Sequence, residues 1–413
     1  MMDAEGTYRC GKCGACLTVC PVYREIRDET ASPRAKVQLI KHYAEKNLSG
    51  SPHLGTLVNR CLMCGGCTAG CPSGVQHDSL FMRMRDCMAA DHGEAWKHKV
   101  LFHFLSHNAQ LRLAARFAGI GRNVVLEHLA RDVKIGRIPI KRLPRFNARP
   151  FRDQVPEITL PRRKAVGTVV YFTGCATQYV YEKIGHATLR VLTAMGFRVE
   201  IPKAQVCCAL PLFFHGNMEK SRQNILTNLR VLNRPDIAAV ITDCATCGSA
   251  LRREYAPVLT ALHLDPAPAR ALAEKVRDLS EFVMEHFDLL EPALHSGREK
   301  TAVTYHAPCH LRNAQGIATP LVEELLGRLP SVSYVRSADT DSCCGGGGTF
   351  CYDYPEISHQ MVHRKIQSAK ATGARIWATG CPGCRVNLAG NLPEEDRLAV
   401  RHPIEIIAGV LAI

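Results

Sequence analysis

Two twelve-residue runs, CGKCGACLTVCP at 10–21 and CLMCGGCTAGCP at 61–72, leave this chain little freedom in what it can become. Each places cysteines at C-x₂-C-x₂-C-x₃-C and closes on proline. Three thiolates two residues apart can wrap one face of an Fe₄S₄ cube, while the fourth points away to a neighbouring cube. Gly11, Gly14, Gly65 and Gly66 leave room for backbone N–H groups beside the sulfurs. The spacing therefore assigns Cys10, Cys13, Cys16 and Cys71 to one [4Fe–4S] cluster, and Cys61, Cys64, Cys67 and Cys20 to a second. Structural zinc sites instead use two separated C-x₂-C knuckles.

Cysteine is abundant beyond these runs: 20 in 413 residues. In a secreted chain that density means disulfides, but the opening MMDAEGTYRCGKCG has no apolar core of the kind a signal peptide needs. The reading is an intracellular, cytoplasmic chain whose cysteines are metal ligands or redox groups. No apolar run reaches membrane length; the best, 404–413, is half a span and carries Glu405.

The net charge is +14, and residues 97–164 hold sixteen Lys or Arg against four acids. Such a segment docks on an acidic partner or on anionic headgroups at the cytoplasmic membrane face, or is a solvated connector whose arginines pair locally. Nucleic acid is not an expected partner, because aromatic-interleaved stacking motifs are absent.

The expected organisation has four parts. Residues 1–95 form a helical ferredoxin-like domain with two clusters, and residues 96–163 a basic linker. The linker is helical over VLFHFLSHNAQLRLAARFAG and extended over IGRIPIKRLPRFNARP. Residues 164–290 and 291–413 then repeat one βαβ-rich module, giving an α+β or α/β fold overall. In the first copy, strands over 168–172, 198–201 and 238–242 run into Cys175, Cys207-Cys208 and Cys244-x-x-Cys247, with helices over 180–195 and 218–232 between them. In the second, strands over 301–305, 332–335 and 374–378 lead to Cys309, Cys343-Cys344 and Cys381-x-x-Cys384, with helices from 321 and over 356–371. Equivalent cysteines lie 134 residues apart at the start (175 and 309) and 137 at the end (244 and 381). All ten sit beyond the C-terminal ends of strands, where α/β sheets place their sites.

Five thiols per module exceed what one cube or zinc ion needs. Zinc sites or redox disulfides are the competing reading, although vicinal pairs such as Cys207-Cys208 are poor structural disulfides because their Cα atoms sit too close. Cys87 and Cys351 are left over and read as packing residues, Cys351 near enough to approach the second centre. His306 and His310 flank Cys309, where a supporting or proton-donating role competes with simple backbone pairing. Asp243 and Asp341 read as loop caps.

This arrangement resembles the cysteine-rich CCG domain of the heterodisulfide reductase catalytic subunit. The same domain occurs in the iron–sulfur subunits of glycolate oxidase, D-lactate dehydrogenases and anaerobic glycerol-3-phosphate dehydrogenase. The resemblance covers nearly the whole chain. CGKCGACLTVCPVYREIRDETASPRAKVQLIKHY, DCATCGSALRREY, CCGGGGTF and HPIEII are similar to the glycolate and lactate branch. The complete set of ten cysteines is similar to the heterodisulfide reductase arrangement, in which five thiolates hold a non-cubane [4Fe–4S] centre. The family pattern has glycine after the vicinal pair; here the first module has Ala209, so the resemblance implies one or two further centres rather than a fixed two.

Two functions follow as expectations. The first is an electron-transfer subunit that takes electrons from an FAD-binding 2-hydroxyacid dehydrogenase partner and passes them to a quinone, a membrane-associated acceptor or another carrier. No G-x-G-x-x-G fingerprint follows a strand, so no flavin is expected on this chain. The alternative makes the chain itself catalytic, reducing a disulfide at paired non-cubane centres. A passive scaffold does not account for eighteen ordered ligands.

Overall fold

The structure is a computed structural model that describes residues 5–120, 134–135, 138–139, 145–162, 164–295, 299–393 and 395–412. Its N-terminal part is helical, and the two cysteine runs fold alike. Lys12 and Met63 both take left-handed backbone (φ 54° and 53°), as do Gly14 and Gly65 (87° and 72°). The paired turns launch the short helices Ala15–Val19 and Gly66–Ala69, which pack on each other. Beneath them, Pro33–Ala44, Pro52–Asn59 and His77–His92 bury Val37, Ile40, Leu54, Val58, Phe81 and Met84. The first of these helices starts where its sequence dictates: Ala35 N–H donates to Ser32 Oγ (3.0 Å), and Pro33 occupies the first turn, where its missing N–H costs nothing.

The basic segment begins with two helices, Trp96–Ser106 and Asn108–Ile120, as its apolar spacing predicts. Strands β1 (Lys134–Ile135) and β2 (Ile138–Pro139) pair antiparallel. Of the stretch expected to be extended, 135–150, residues 136–137 and 140–144 lie outside the described residues, as do residues 121–133 before it.

The C-terminal half holds two mainly parallel sheets. One is ordered β3 (Ile158–Thr159), β5 (Phe197–Glu200), β4 (Gly167–Phe172), β6 (Ala239–Thr242), β7 (Val276–Asp278). The other is ordered β9 (Val332–Tyr334), β8 (Thr301–His306), β10 (Ile376–Thr379), β11 (Ala399–Arg401). Apart from the antiparallel edge strand β3, the orders are the same, and so are the registers. Val169 pairs with Ala239 as Val303 pairs with Ile376, and Val240 pairs with Val276 as Trp377 pairs with Val400. The central strands are apolar without alternation because helices cover both faces.

The two copies meet as equivalents. Helix Glu182–Ala194 of the first packs on Pro403–Gly409 of the second, and the matching pair, Thr319–Gly327 and Leu279–Glu285, packs with the roles exchanged. Cys244 lies against Cys381, its own counterpart 137 residues on. Contacts of a residue with its own equivalent place an approximate two-fold axis there, the geometry of an isologous dimer built within one chain.

Candidate metal centres

Cys20, Cys61, Cys64 and Cys67 line one small cavity with Pro21, Lys36 and Phe81. These are the four thiols that the ferredoxin spacing groups together across 40 residues of sequence. The Tyr23 N–H donates to Cys20 Sγ and the Met63 N–H to Cys61 Sγ, each at 3.4 Å. Burial pushes the Cys64 and Cys67 thiols far up, with Cys309 the next contributor at Cys64 and Cys61 at Cys67. Lys36 is 2% exposed and donates to Ala31 O (2.6 Å). Burial lowers its pKa, and Cys61 and Cys20 push it back up. In the first run, Cys10 and Cys13 neighbour Cys16. Gly11 lies 3.9 Å from Ser73 Oγ, measured from where its Cβ would be, which brings that run beside the turn carrying Cys71.

The ten cysteines of the duplicated half all line a single cavity of about 300 Å³ between the modules. Their thiols neighbour one another in one continuous series. It runs Cys175, Cys207, Cys208, Cys247 and Cys244 in the first module, crosses to Cys381, and continues through Cys384, Cys344, Cys343 and Cys309. Cys309 in turn raises the pKa of Cys64 by proximity, so the series reaches the N-terminal part. No disulfide occurs among the described residues. π-helical turns lie close behind the ligand candidates, Ala250–Glu254 three residues after Cys247 and His310–Ala314 directly after Cys309, a distortion common at functional sites.

Ala209 takes the shape its glycine counterpart takes. Its φ is 64° against 79° at Gly345, and the N–H of each donates to the first sulfur of its vicinal pair, Ala209 to Cys207 (3.5 Å) and Gly345 to Cys343 (3.4 Å). The alanine therefore preserves the turn at a conformational cost of about 1–2 kcal/mol. Gly347 matters for a different reason. A Cβ there would sit 2.4 Å from Leu62 Cδ2, so the glycine run lets this loop seat against the N-terminal cluster motif.

His310 lies where the three parts join. Its Nε2 pairs with Met63 O (3.0 Å) and its Nδ1 with Thr246 Oγ1 (3.3 Å), which itself approaches Cys381 Sγ (3.5 Å). Asn313 adds a bond to Cys64 O (2.9 Å). His306, three residues before Cys309, is fully buried with both ring nitrogens unpartnered among the described residues. Asp341 accepts from Thr319 Oγ1 (2.6 Å) and from Arg336 (2.8 Å), while Asp243 accepts from Tyr171 and Thr177 and is pushed up to about 7 by burial. Cys87 is half-buried packing; Cys351 does more than pack, since it lines the central cavity with its thiol raised to about 12 by burial and by Cys344.

Sequence spacing did not reveal Arg85, which donates to Phe214 O (2.8 Å), Asn59 O (3.0 Å) and Cys61 O (2.8 Å) and so ties the N-terminal part to the first module. Nor did it reveal the wall formed by Phe214, His215, Phe350 and Tyr354. The aromatic run FCYDY just after the glycines was its one visible signal.

Thiols that are clustered, free of disulfides and met by backbone N–H donors are the donor set of an iron–sulfur centre; oxygen-seeking ions would find almost none of their preferred ligands here. The fold and its thiols thus define an iron–sulfur protein. A family profile described as the cysteine-rich domain (CCG) matches residues 169–252 and 303–389, and one described as the 4Fe-4S dicluster domain matches 6–75. The chain is 28% identical over 411 residues to the probable glycolate oxidase iron-sulfur subunit of Bacillus subtilis, covering 95% of this chain and 91% of that one. It is 31% identical over 238 residues to lactate utilization protein A of Bacillus pumilus, covering 57% of this chain and 97% of that one. It is 25% identical over 398 residues to a fumarate reductase (CoM/CoB) subunit of Methanothermobacter marburgensis, covering 95% and 70% respectively. The chain belongs to the CCG-domain family of iron–sulfur oxidoreductase subunits. Among the described residues no helix is long and apolar enough to cross a membrane.

Proposed function

We infer that the chain is the electron-transfer subunit of a flavin-dependent 2-hydroxyacid dehydrogenase. Its substrate is of the glycolate or lactate type, and its partner is a separate FAD-binding subunit. The observation that carries this reading is the unbroken neighbourhood of thiols from Cys175 to Cys309 and on to Cys64. The proposed ligands are Cys10, Cys13, Cys16 and Cys71 for one cube and Cys61, Cys64, Cys67 and Cys20 for the other. Cys175, Cys207, Cys208, Cys244 and Cys247 serve the first module's centre, and Cys309, Cys343, Cys344, Cys381 and Cys384 the second's. Bound there, [4Fe–4S] centres supply one-electron chemistry between the partner's flavin and a quinone or other carrier. The chain's own residues hold the thiolates in place, keep water from them and set their surroundings. Lys36 and Lys365 place buried cations beside two of the four cysteine groups. The basic segment is the proposed docking surface; Arg112 and Arg152 are already engaged, with Asp153 (2.6 Å) and Gln205 O (2.6 Å).

A second reading, disulfide reduction at the central cavity, is favoured by one observation: all ten thiols face the same 300 Å³ space. Anaerobic purification from the native host separates the two. An FAD-containing partner, with 2-hydroxyacid bleaching the iron–sulfur absorbance, is the expected result. Bleaching reversed by a disulfide, with no flavoprotein present, would replace the first reading with the second.

A further inference from the structure

His306 ends strand β8, three residues before Cys309, with its side chain fully buried. One ring nitrogen, Cys344 Sγ and Cys384 Sγ lie within 4.8 Å of one another, and neither ring nitrogen has a hydrogen-bond partner among the described residues. An unpaired polar atom in the interior is destabilising, and an imidazole carries two. His310 does not share this condition, since both its nitrogens are paired. Nor does the fold call for an imidazole at this place. The register that sets His306 opposite Thr379 sets Phe172 opposite Thr242 in the first module, so the duplicated strand ends in a hydrocarbon there and closes equally well.

Three soft or borderline donors converging in a dry site are a ligand set. Donors on one metal ion at bond lengths of about 2.0–2.3 Å stand roughly 3.5–3.8 Å apart, so a separation within 4.8 Å closes with small side-chain adjustments. We propose that His306 is a nitrogen ligand to iron in the centre held by the second module. That module would then offer six protein donors, five thiolates and one imidazole, against five in the first. The inference rests on the reading that the second module holds an iron–sulfur centre. In Rieske centres, where imidazoles take the place of thiolates, the potential is raised, and an added neutral imidazole likewise makes the second module's ligand set unlike the first's. The second centre is therefore built to differ from the first.

The test uses full-length protein purified without air from cells fed ¹⁵N-histidine, read by pulsed hyperfine spectroscopy on each paramagnetic centre. Cys344→Ser identifies the second module's signal by its disappearance. The expected result is a strong histidine nitrogen coupling on that signal, changed by the ¹⁵N label and absent in His306→Phe, which copies Phe172. A second-module signal with no histidine nitrogen coupling overturns the ligand assignment alone. Iron confined to the N-terminal clusters overturns it together with the reading beneath it. The labelled wild-type protein decides the matter even if the variant does not fold.

Discussion

The two CCG modules share strand order, register and five cysteines, yet the second differs from the first at three matching positions near the cysteines. His306 stands for Phe172, Gly345 for Ala209, and Lys365 for Asn228 at the same turn of the matching helix, Pro355–Lys370 against Met218–Leu232. Lys365 is 2% exposed and donates to Thr340 O (3.2 Å), whereas Asn228 bonds Val206 and Cys207 through a neutral amide. The second module is also the one whose Cys309 and His310 reach the N-terminal cluster motif. Duplication kept the thiol cage and let its surroundings diverge, so the two sets of five thiols occupy different electrostatic settings.

The sharpest way to separate them is to remove one ligand at a time. Cys344→Ser should abolish the second module's paramagnetic signal, and Cys208→Ser the first's, each with loss of about four irons and with both N-terminal clusters intact. If either variant erased both module signals, the cysteines would serve one shared centre rather than two.

The turn after the vicinal pair offers a smaller contrast. At Gly345 a Cβ would meet Ser358 O at 3.0 Å and Met361 Cβ at 3.2 Å, on left-handed backbone. Gly345→Ala should therefore cost about 2–4 kcal/mol in denaturant unfolding. Ala209→Gly should stabilise by about 0.5 kcal/mol, because relief of left-handed strain slightly outweighs the added freedom of the unfolded chain. Equal and small effects at both sites would show that the turns are interchangeable.

The smallest contrast lies at two matching helix caps. Asp278 and His402 each close a capping box, with Glu281 and Glu405. Burial pushes the Asp278 carboxyl up to about 7 from an ordinary 3.8, and lowers the His402 imidazole to about 3 from 6.5. Folded Asp278 holds its proton more tightly than the unfolded chain does, so its contribution is complete below pH 3.8 and fades as pH rises through 7. His402 works in the other direction: its contribution is complete above pH 6.5 and fades as pH falls toward 3. Relative to wild type, urea midpoints between about pH 4 and 6.5 should therefore rise more steeply with pH in Asp278→Asn and less steeply in His402→Asn. Asparagine keeps the cap acceptor in both. Parallel profiles would mean the caps titrate alike folded and unfolded.

Much of this architecture was legible in the chain because cysteines ending strands mark both the repeat and its register. The offsets between 175 and 309 and between 244 and 381 carry over to the paired strands almost residue for residue. Helix Met218–Leu232 begins and ends where its apolar period says, and the helix expected over 180–195 forms over Glu182–Ala194, behind a separate short helix that the expectation did not include. Gly174–Tyr179 stops, and Tyr181, at φ −120°, turns the chain before Glu182 starts the next helix. What the sequence did not disclose depends on packing between distant segments. The edge strand β3 has only two residues, too few for a period. The two-fold meeting of Cys244 with Cys381, the role of Arg85 and the isolation of His306 arise only once the modules close on each other.

The claim on which the rest depends is that the ten thiols of the duplicated half hold iron and sulfide, as is proposed for the N-terminal eight. Iron and acid-labile sulfide counted in anaerobically purified full-length protein test it directly. Four [4Fe–4S] centres give about 16 irons per chain. A count near eight, with the module cysteines titrating as free thiols or holding zinc, would contradict it.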